Sequence, residues 1–414
     1  MSSQHRTRRR ASRSDGSGSG ASTAPVIDPM RLFRDVLPPL CVSALISLVP
    51  GYLIAANGAT WNRVPGLLVL VPALIGMRGN VFGSLASRLS TELQTAKHNR
   101  STMGRLLTFL DSYIMVEVLL LSGALALLSR LFHGAAVNLH DLLFNSLVNG
   151  VVSGSLMLVS TKFVVACAVW LHVDPDNVAP IVVTSLGDTI TIPTILFICN
   201  VLLGNTTPAV QTAAIALLAA FTVVAAVRLA RRELLFAPML TQRVPVLLCC
   251  MLASFFSGTV MERLLSTETR VSNFLVLVPL MNSQGGSVGS CVSSRLSTRQ
   301  QRALQRHRDA DQPDESGVAA TGDGNGGGGG LGHDYYDVLL QTFVLIAAVT
   351  LVLSGVVLLF FADLFSSVSH LLVVMSTMAV VLTSTSTAIA MLAIEFSSRF
   401  GLHPANVTIP IVCA

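Results

Sequence analysis

The sequence predicts an all-α polytopic membrane protein built from two parallel five-helix repeats that an extra helix joins. Three observations carry this prediction: the composition, the number of apolar stretches, and a long segment that occurs twice. The chain has 414 residues, of which 52% are hydrophobic and 12% are charged. Soluble domains carry about 25% charged residues, so the composition excludes an ordinary soluble protein. The net charge of +5 is too small to indicate nucleic-acid binding.

About 10–11 transmembrane spans are predicted, because a helix needs roughly 20 apolar residues to cross a bilayer. A basic tail at 1–30 precedes them. It lacks the apolar core of a signal peptide, and it is expected to be a disordered tail. The predicted spans are 36–57, 64–87, 108–131, 142–171, 176–203, 208–229, 244–265, 271–294, 337–362, 369–395 and a truncated last span that begins at 406.

The positive charges predict a cytoplasmic N-terminus. With that orientation, eleven lysines and arginines, Arg243 among them, fall in the inner loops, and four arginines fall in the outer loops. Cytoplasmic loops of membrane proteins carry such an excess of basic residues. The Gly-rich segment 300–334 has no apolar periodicity and is expected to be a flexible cytoplasmic loop. The pattern fits the plasma membrane and an internal membrane equally.

One segment of the chain occurs twice. Residues 62–91 align with 269–298 without a gap, and 14 of the 30 positions are identical, including "SRLST" in register. A second pair follows, because "DPDNVAPIVVTS" at 174–185 resembles "HPANVTIPIVCA" at 403–414. Apolar composition alone does not produce such matches, so the chain contains an internal duplication.

The duplication defines two membrane units. The first covers 31–205, and the second covers 239–414 and includes the Gly-rich loop. Between them, 206–238 supplies a connecting helix and a basic cytoplasmic loop. Six spans separate equivalent positions, so the units share one orientation and form a parallel repeat. An ion path on their pseudo-symmetry axis would have walls from both units.

Asp188 is the strongest candidate for a cation ligand. It lies about 12 residues into the fifth span, or ~18 Å, near the middle of the bilayer. An aspartate there costs about 2.5–3.5 kcal/mol, and a cation path would account for that cost. Hard cations such as Mg²⁺ prefer carboxylate, carbonyl and water oxygens. The alternative is a protonated aspartate that bonds to neighbouring helices.

The residues around Asp188 predict a broken helix. Pro180, Gly187 and Pro193 flank it, and a proline frees one backbone carbonyl. Irregular helices at membrane depth are tolerated where they line a cavity. We therefore expect freed carbonyl oxygens to face the ion.

Further polar residues are candidate metal ligands at the cytoplasmic mouth of the fifth span. Asp174, Asp176 and Asn177 come directly before this span, and Asn406 is the second copy of Asn177. Capping of the helix N-terminus is the alternative role for Asp174, Asp176 and Asn177.

Three candidates for the metal site lie in other spans. In "GMRGN", Gly79 permits either a close helix approach or a local unwinding, and Asn80 offers a side-chain carbonyl to a pore. Helix packing alone is the alternative. Glu117 is a second intramembrane carboxylate, which either lines the pathway or forms a buried pair with Lys162.

The motifs "VPALIGMRGN…ASRLST", "DPDNVAPIVVTSLGD", "VPLMNSQGG…SSRLST" and "HPANVTIP" resemble the MgtE-type magnesium transporter superfamily. The chain is most similar to its eukaryotic branch, solute carrier family 41, in which two MgtE-like units share one polypeptide. The resemblance implies two five-helix units around a central cation pore. It also implies that Asp188 is the pore aspartate that binds hydrated Mg²⁺, with Asn177, Gly79 and Asn80 in pore or gate positions.

The second copy departs from the family pattern. His403 and Ala405 stand where the first copy has aspartates, so this half is poorer in anionic groups. The second copy of Asp188 would fall three positions beyond Ala414. We therefore expect that the last span is truncated.

The expected function is passage of Mg²⁺ or another divalent cation across a membrane, without enzyme activity. No cofactor is expected, because Mg²⁺ is the transported ion. Na⁺ as a coupling ion stays open, as does the choice between channel and exchanger. The scarcity of intramembrane histidines and paired cysteines disfavours Zn²⁺.

The rival from another class is an intramembrane aspartyl protease. The stretch "SLGD" at 185–188 faintly resembles the catalytic motif of such proteases. That chemistry needs two facing aspartates that share a proton. The only Tyr-Asp pair, which ends at Asp337, adjoins the Gly-rich loop. The two-unit architecture would also have no explanation.

Overall fold

A computed structural model describes residues 29–64, 66–95, 100–133, 138–171, 173, 175–232, 236–267, 277–310, 330–360, 368–399 and 411. The described residues form helices and contain no strand. The helices are α1 (Pro29–Ala56), α2 (Gly58–Arg63), α3 (Leu67–Thr95), α4 (Arg100–His133), α5 (Leu139–Trp170), α6 (Pro175–Phe197), α7 (Pro208–Arg232), α8 (Phe236–Thr267), α9 (Leu277–Ala310), α10 (Gly330–Phe360) and α11 (Val368–Arg399).

The all-α polytopic prediction is confirmed. Within the described residues, nine helices are long and apolar enough to cross a membrane. They correspond to nine of the predicted spans, and α9 corresponds to a tenth. The described part of α9 falls short in apolarity because it is rich in serine and glycine and because 271–276 lies outside the described residues. Asn406 and most of the last predicted span also lie outside them.

The long helices pack around two apolar cores. Residues of α3, α4, α5, α6 and α8 build the first, which includes Phe82 and Phe255. Residues of α1, α9, α10 and α11 build the second, which includes Leu40 and Leu353. α3 is almost entirely buried, whereas α7 is almost entirely exposed. α3 is therefore a central helix, and α7 has the apolar surface expected of a helix that faces lipid.

The first long helix of each predicted unit packs against the other unit. α1 lies against α9 and α10, and α8 lies against α3 and α4. The boundaries 31–205 and 239–414 follow the repeat in the sequence and stay a prediction. The packing adds that the two halves are interleaved, so each is held by a helix from the other.

The crossing of α8 over α3 depends on Gly258. A Cβ at this position would lie 2.2 Å from the carbonyl oxygen of Val69, and backbone atoms have no rotamer with which to move away. We expect Gly258→Ala to force the two helices apart and to cost about 1–3 kcal/mol or more. Denaturant titration of the purified protein in detergent measures this loss.

Gly355 in α10 supplies the matched control. A Cβ there would meet nothing within 4 Å, so Gly355→Ala is expected to be neutral or to stabilise by roughly 0.5–1 kcal/mol. Equal losses for the two substitutions would contradict the close approach of α8 and α3.

α6 joins the two cores, because it packs against α1, α3, α5 and α9. The predicted break around Asp188 is wrong, since α6 is helical from Pro175 to Phe197 with Pro180 and Pro193 inside it. Each proline removes one backbone hydrogen bond of α6. The packing of α1, α3, α5 and α9 against α6 stabilises the helix despite this loss. The irregular part comes later, as a π-helical turn at Ile198–Leu202.

Candidate functional site

A small cavity lies where α3, α6 and α9 meet. Each copy of the repeated segment contributes three lining residues, and α6 contributes two. The lining residues are Ile75, Gly76, Gly79, Thr184, Asp188, Asn282, Ser283 and Gly286. Gly79 and Gly286 are equivalent in the repeat, as are Gly76 and Ser283. The two copies therefore form facing walls of one cavity, with α6 as its third wall.

Glycines bring the backbones of α3 and α6 together beside the cavity. A Cβ at Gly187 would lie 3.6 Å from the backbone nitrogen of Gly79, and a Cβ at Gly79 would lie 3.8 Å from Thr184 Cγ2. α3 continues as a helix through this region. Of the two roles predicted for Gly79, close helix approach therefore agrees with the structure, and local unwinding does not.

Asp188 places an uncompensated carboxylate in the cavity. It lies four residues after Thr184, so both side chains share one face of α6. The residue is only 3% exposed, and its Oδ2 atom has no hydrogen-bond partner among the described residues. A buried carboxylate is costly unless a hydrogen bond, a charge or a metal ion compensates it. A bound cation would supply that compensation.

The other polar groups of the cavity are oxygen ligands of the kind that hard cations prefer. Thr184 Oγ1 donates its hydrogen to the helix backbone, at 2.9 Å from the carbonyl oxygen of Ile181. This bond leaves the lone pairs of Thr184 Oγ1 unused, and Ser287 Oγ lies 3.4 Å from the same atom. Asn282 adds a side-chain carbonyl and Ser283 a hydroxyl. The described residues contain no group of three or more His, Cys, Asp or Glu side chains that could hold a metal ion, so Asp188 would act with neutral oxygen ligands.

A buried cluster of hydroxyl groups supports the cavity from behind. Ser185 Oγ on α6 lies 2.8 Å from Ser283 Oγ on α9. Ser43 on α1 bonds to Ser185 and lies 3.2 Å from Ser283 and 3.3 Å from Ser287. Gln284 Nε2 donates to Ser43 Oγ at 3.3 Å. Such bonds between helices stabilise membrane bundles, and here they fix Ser283 at the cavity wall.

The remaining ligands predicted around α6 and α3 have different positions. Asn80 is buried and its Oδ1 has no partner among the described residues, but it is not one of the residues that line the cavity. Asp176 and Asn177 lie in the first turn of α6, and their side chains are outside the described part. Asp174 lies outside the described residues altogether.

The structure does not bring Glu117 to the cavity. Its Oε2 atom lies 3.1 Å from Arg243 Nη2 on α8, and both side chains are completely buried. Tyr113 donates to Glu117 Oε1 at 3.0 Å. The predicted alternative of a pair with Lys162 is wrong, because Lys162 forms its salt bridge with Asp111.

Arg243 is not a loop residue. Arg243 was predicted to lie in an inner loop, but it lies inside α8 and also donates to Ser84 Oγ at 2.7 Å. Six of the lining residues were not predicted from the sequence: Ile75, Gly76, Thr184, Asn282, Ser283 and Gly286. For Gly286 a signal was available, because the repeat pairs it with Gly79, which was predicted.

Comparisons with known proteins agree with this architecture. The family model described as "MgtE: Divalent cation transporter" matches residues 71–199 and 278–414. The two matched segments start 207 positions apart, which is the offset of the repeat. No solved structure matches the chain.

Curated relatives show the same likeness. The chain is 25% identical to human solute carrier family 41 member 2 over 262 residues, which cover 59% of the chain and 44% of the relative. Its identity to the Gallus gallus protein of the same name is 25%, covering 64% and 48%. Its identity to solute carrier family 41 member 3 of Rattus norvegicus is 25%, covering 64% and 61%. The chain thus spans about half the length of the member 2 relatives.

The family match covers more than half of the chain and includes all three walls of the cavity. The helices described above are those of a multi-pass integral membrane protein. This match, together with a shared oxygen-lined cavity between two repeated segments, shows that the chain belongs to the MgtE family of divalent cation transporters.

Proposed function

We propose that the chain carries Mg²⁺ across a membrane, with the ion passing between two pseudo-symmetric helical units at Asp188. The observation that carries this proposal is the buried, uncompensated carboxylate in a cavity that both copies of the repeat line. The described lining contains no His or Cys side chain, and its potential ligand atoms are the oxygens of Asp188, Thr184, Asn282 and Ser283, which favours a hard divalent ion over Zn²⁺. The N-terminus is proposed to be cytoplasmic, in agreement with the excess of basic residues in the inner loops.

The cavity is narrow in the conformation described here. Its volume is about 10 Å³, which is roughly the space that one water molecule requires. Mg²⁺ gives up its water ligands reluctantly and usually keeps several of them. Passage of the ion is therefore proposed to require α3, α6 and α9 to move apart.

Reconstitution into liposomes that enclose a Mg²⁺ indicator tests the proposal. We expect the purified chain to admit Mg²⁺ well above the rate of protein-free liposomes. Zn²⁺ supplied at the same concentration is expected to compete poorly. Mg²⁺ entry at the protein-free rate would refute the proposed function, and efficient competition by Zn²⁺ would refute the Mg²⁺ preference.

The same liposomes distinguish a channel from an exchanger. Mg²⁺ movement that requires an opposing Na⁺ gradient would identify Na⁺ as the coupling ion. Mg²⁺ movement at the same rate without Na⁺ would identify an uncoupled path.

A further inference from the structure

A group of buried polar side chains on α4 and α5 lacks hydrogen-bond partners. Both amide atoms of Asn149, the Oδ1 atom of Asn145 and the hydroxyl of Ser122 have none among the described residues. All three residues have 0% exposure. Buried polar atoms in folded proteins are paired with protein groups or with ordered water, so these atoms require partners that the described side chains do not supply. We call the three residues the amide site.

The members of the amide site lie in one region. Asn145 and Asn149 are four residues apart in α5, so both side chains lie on one face of that helix. Ser122 lies on α4, and its Oγ atom is 3.2 Å from the position that a Cβ of Gly150 would occupy. Gly150 directly follows Asn149. The unpartnered atoms therefore lie where α5 packs against its neighbours α4 and α6.

The contacts of α5 with α6 explain why Asn149 has no partner on that side. Asn145 Nδ2 donates to Cys199 Sγ at 2.9 Å, and Met157 Cε lies 3.7 Å from the Cβ position of Gly187. The two contacts are twelve residues apart on each helix, so α5 and α6 run antiparallel in step. Asn149 therefore lies about one turn from the cysteine, at the level of a buried isoleucine of α6 that has no hydrogen-bonding side chain.

The two amides are specific to the first unit. In the second predicted unit α11 takes the place of α5, and the offset of 229 between these helices puts Val374 and Met378 at the positions of Asn145 and Asn149. These apolar residues are 39% and 51% exposed. The amides are therefore not part of the pattern that the two copies share.

We propose that the amide site binds internal water molecules between α4, α5 and α6. The amide of Asn149 alone can donate two hydrogen bonds and accept two, and a buried water typically makes about three bonds to such groups. The three residues carry no charge, whereas proteins hold Mg²⁺ mainly through carboxylates. The ligand is therefore water and not the cation that is proposed to pass Asp188, so this inference does not depend on the proposed function.

The bound water would connect α5 to the least regular part of α6. Cys199, which accepts the bond from Asn145, belongs to the π-helical turn at Ile198–Leu202. Such turns are frequent at functional sites in proteins. A water-mediated bond is nearly as favourable as a direct one, and it adapts to a changed distance between the two helices. The amide site thus stabilises the contact of α5 with this turn without fixing its geometry.

X-ray footprinting of the purified full chain in detergent tests the proposal. X-rays split bound water into hydroxyl radicals where it lies, and these radicals oxidise the nearest reactive side chains. Cys199 is completely buried and contacts Asn145, and cysteine sulfur is oxidised to sulfenic and higher acids. We expect mass spectrometry to detect oxidation of Cys199 in the wild-type chain despite its burial. An unmodified Cys199 at doses that oxidise the exposed Cys249 would overturn the proposal.

Three variants distinguish bound water from a general change in packing. Asn149→Leu removes the hydrogen-bonding groups with little change in size and should slow Cys199 oxidation at least about fivefold. Asn149→Ser keeps a hydroxyl and adds space for water, so its rate should stay within about twofold of wild type. Thr383→Val removes a buried, unpartnered hydroxyl from α11 and should leave the rate unchanged. A rate in Asn149→Leu that is no lower than in Asn149→Ser would overturn the proposal.

Crystals grown with Mn²⁺ distinguish water from a cation at the amide site, since Mn²⁺ takes the same oxygen ligands as Mg²⁺. Anomalous diffraction should show no peak beside Asn145 or Asn149 at a saturating Mn²⁺ concentration. A peak there would identify a cation site and overturn the assignment to water. Both results leave the proposed transport of Mg²⁺ to its own test in liposomes.

Discussion

Asp188→Asn is expected to lower Mg²⁺ flux through the reconstituted chain at least about 100-fold. Asp188 is the only carboxylate among the residues that line the described cavity, and asparagine keeps its size while removing its charge. Loss of one partner from a buried charge pair costs about 3–5 kcal/mol, and every 1.4 kcal/mol is a factor of ten. Indicator-loaded liposomes measure the rate directly.

Asp141→Asn is the matched control for this substitution. Asp141 lies in the first turn of α5, about one third exposed, and accepts a hydrogen bond from Asn138. The same chemical change there should leave Mg²⁺ flux within about twofold of wild type. Flux near the wild-type rate in Asp188→Asn would contradict the assignment of Asp188 to the ion path.

Arg243→Met is expected to cost about 3–5 kcal/mol of unfolding free energy, because it leaves the buried carboxylate of Glu117 without its charge partner. Arg243 lies on α8 and Glu117 on α4. The Arg243 guanidinium carbon also lies 5.6 Å from the centre of the Tyr113 ring. The cation thus joins α8, which comes from the second predicted unit, to the helices of the first. Denaturant titration in detergent measures the loss.

Two further variants separate the ion pair from simple packing. Glu117→Leu combined with Arg243→Met removes both charges and should recover most of the loss, since apolar replacement of a whole buried pair is often neutral. Lys162→Met breaks the more exposed pair with Asp111 and should cost only about 0–1 kcal/mol. Single and double variants that are equally destabilised would show that the pair itself has no role.

The helices and the central residue of the cavity could be predicted from the sequence. Apolar runs of the length of a bilayer predicted eleven spans, and the first ten each correspond to one long helix of the described residues. Most of the eleventh lies outside the described residues. Asp188 was predicted because an aspartate inside an apolar helix is costly. Gly79 was predicted because small residues inside such a helix permit a close helix approach. Both line the cavity.

The partners of buried polar groups could not be predicted, because they come from distant parts of the chain. Arg243 was assigned to a loop, since an arginine near the end of an apolar run is indistinguishable from a loop residue until Glu117 is placed beside it. The packing of α1 and α8 against the opposite halves of the chain could also not be predicted. An apolar helix surface specifies burial but not which helix will cover it.

Cation binding between α3, α6 and α9 is tested most directly by anomalous diffraction from crystals grown with Mn²⁺, which takes the same oxygen ligands as Mg²⁺. We expect one strong peak at roughly 2.0–2.6 Å from a carboxylate oxygen of Asp188, on the side that Asn282 and Ser283 line. That peak should vanish in Asp188→Asn. A saturating Mn²⁺ concentration that leaves the cavity without a peak, or an equally strong peak in Asp188→Asn, would contradict the site.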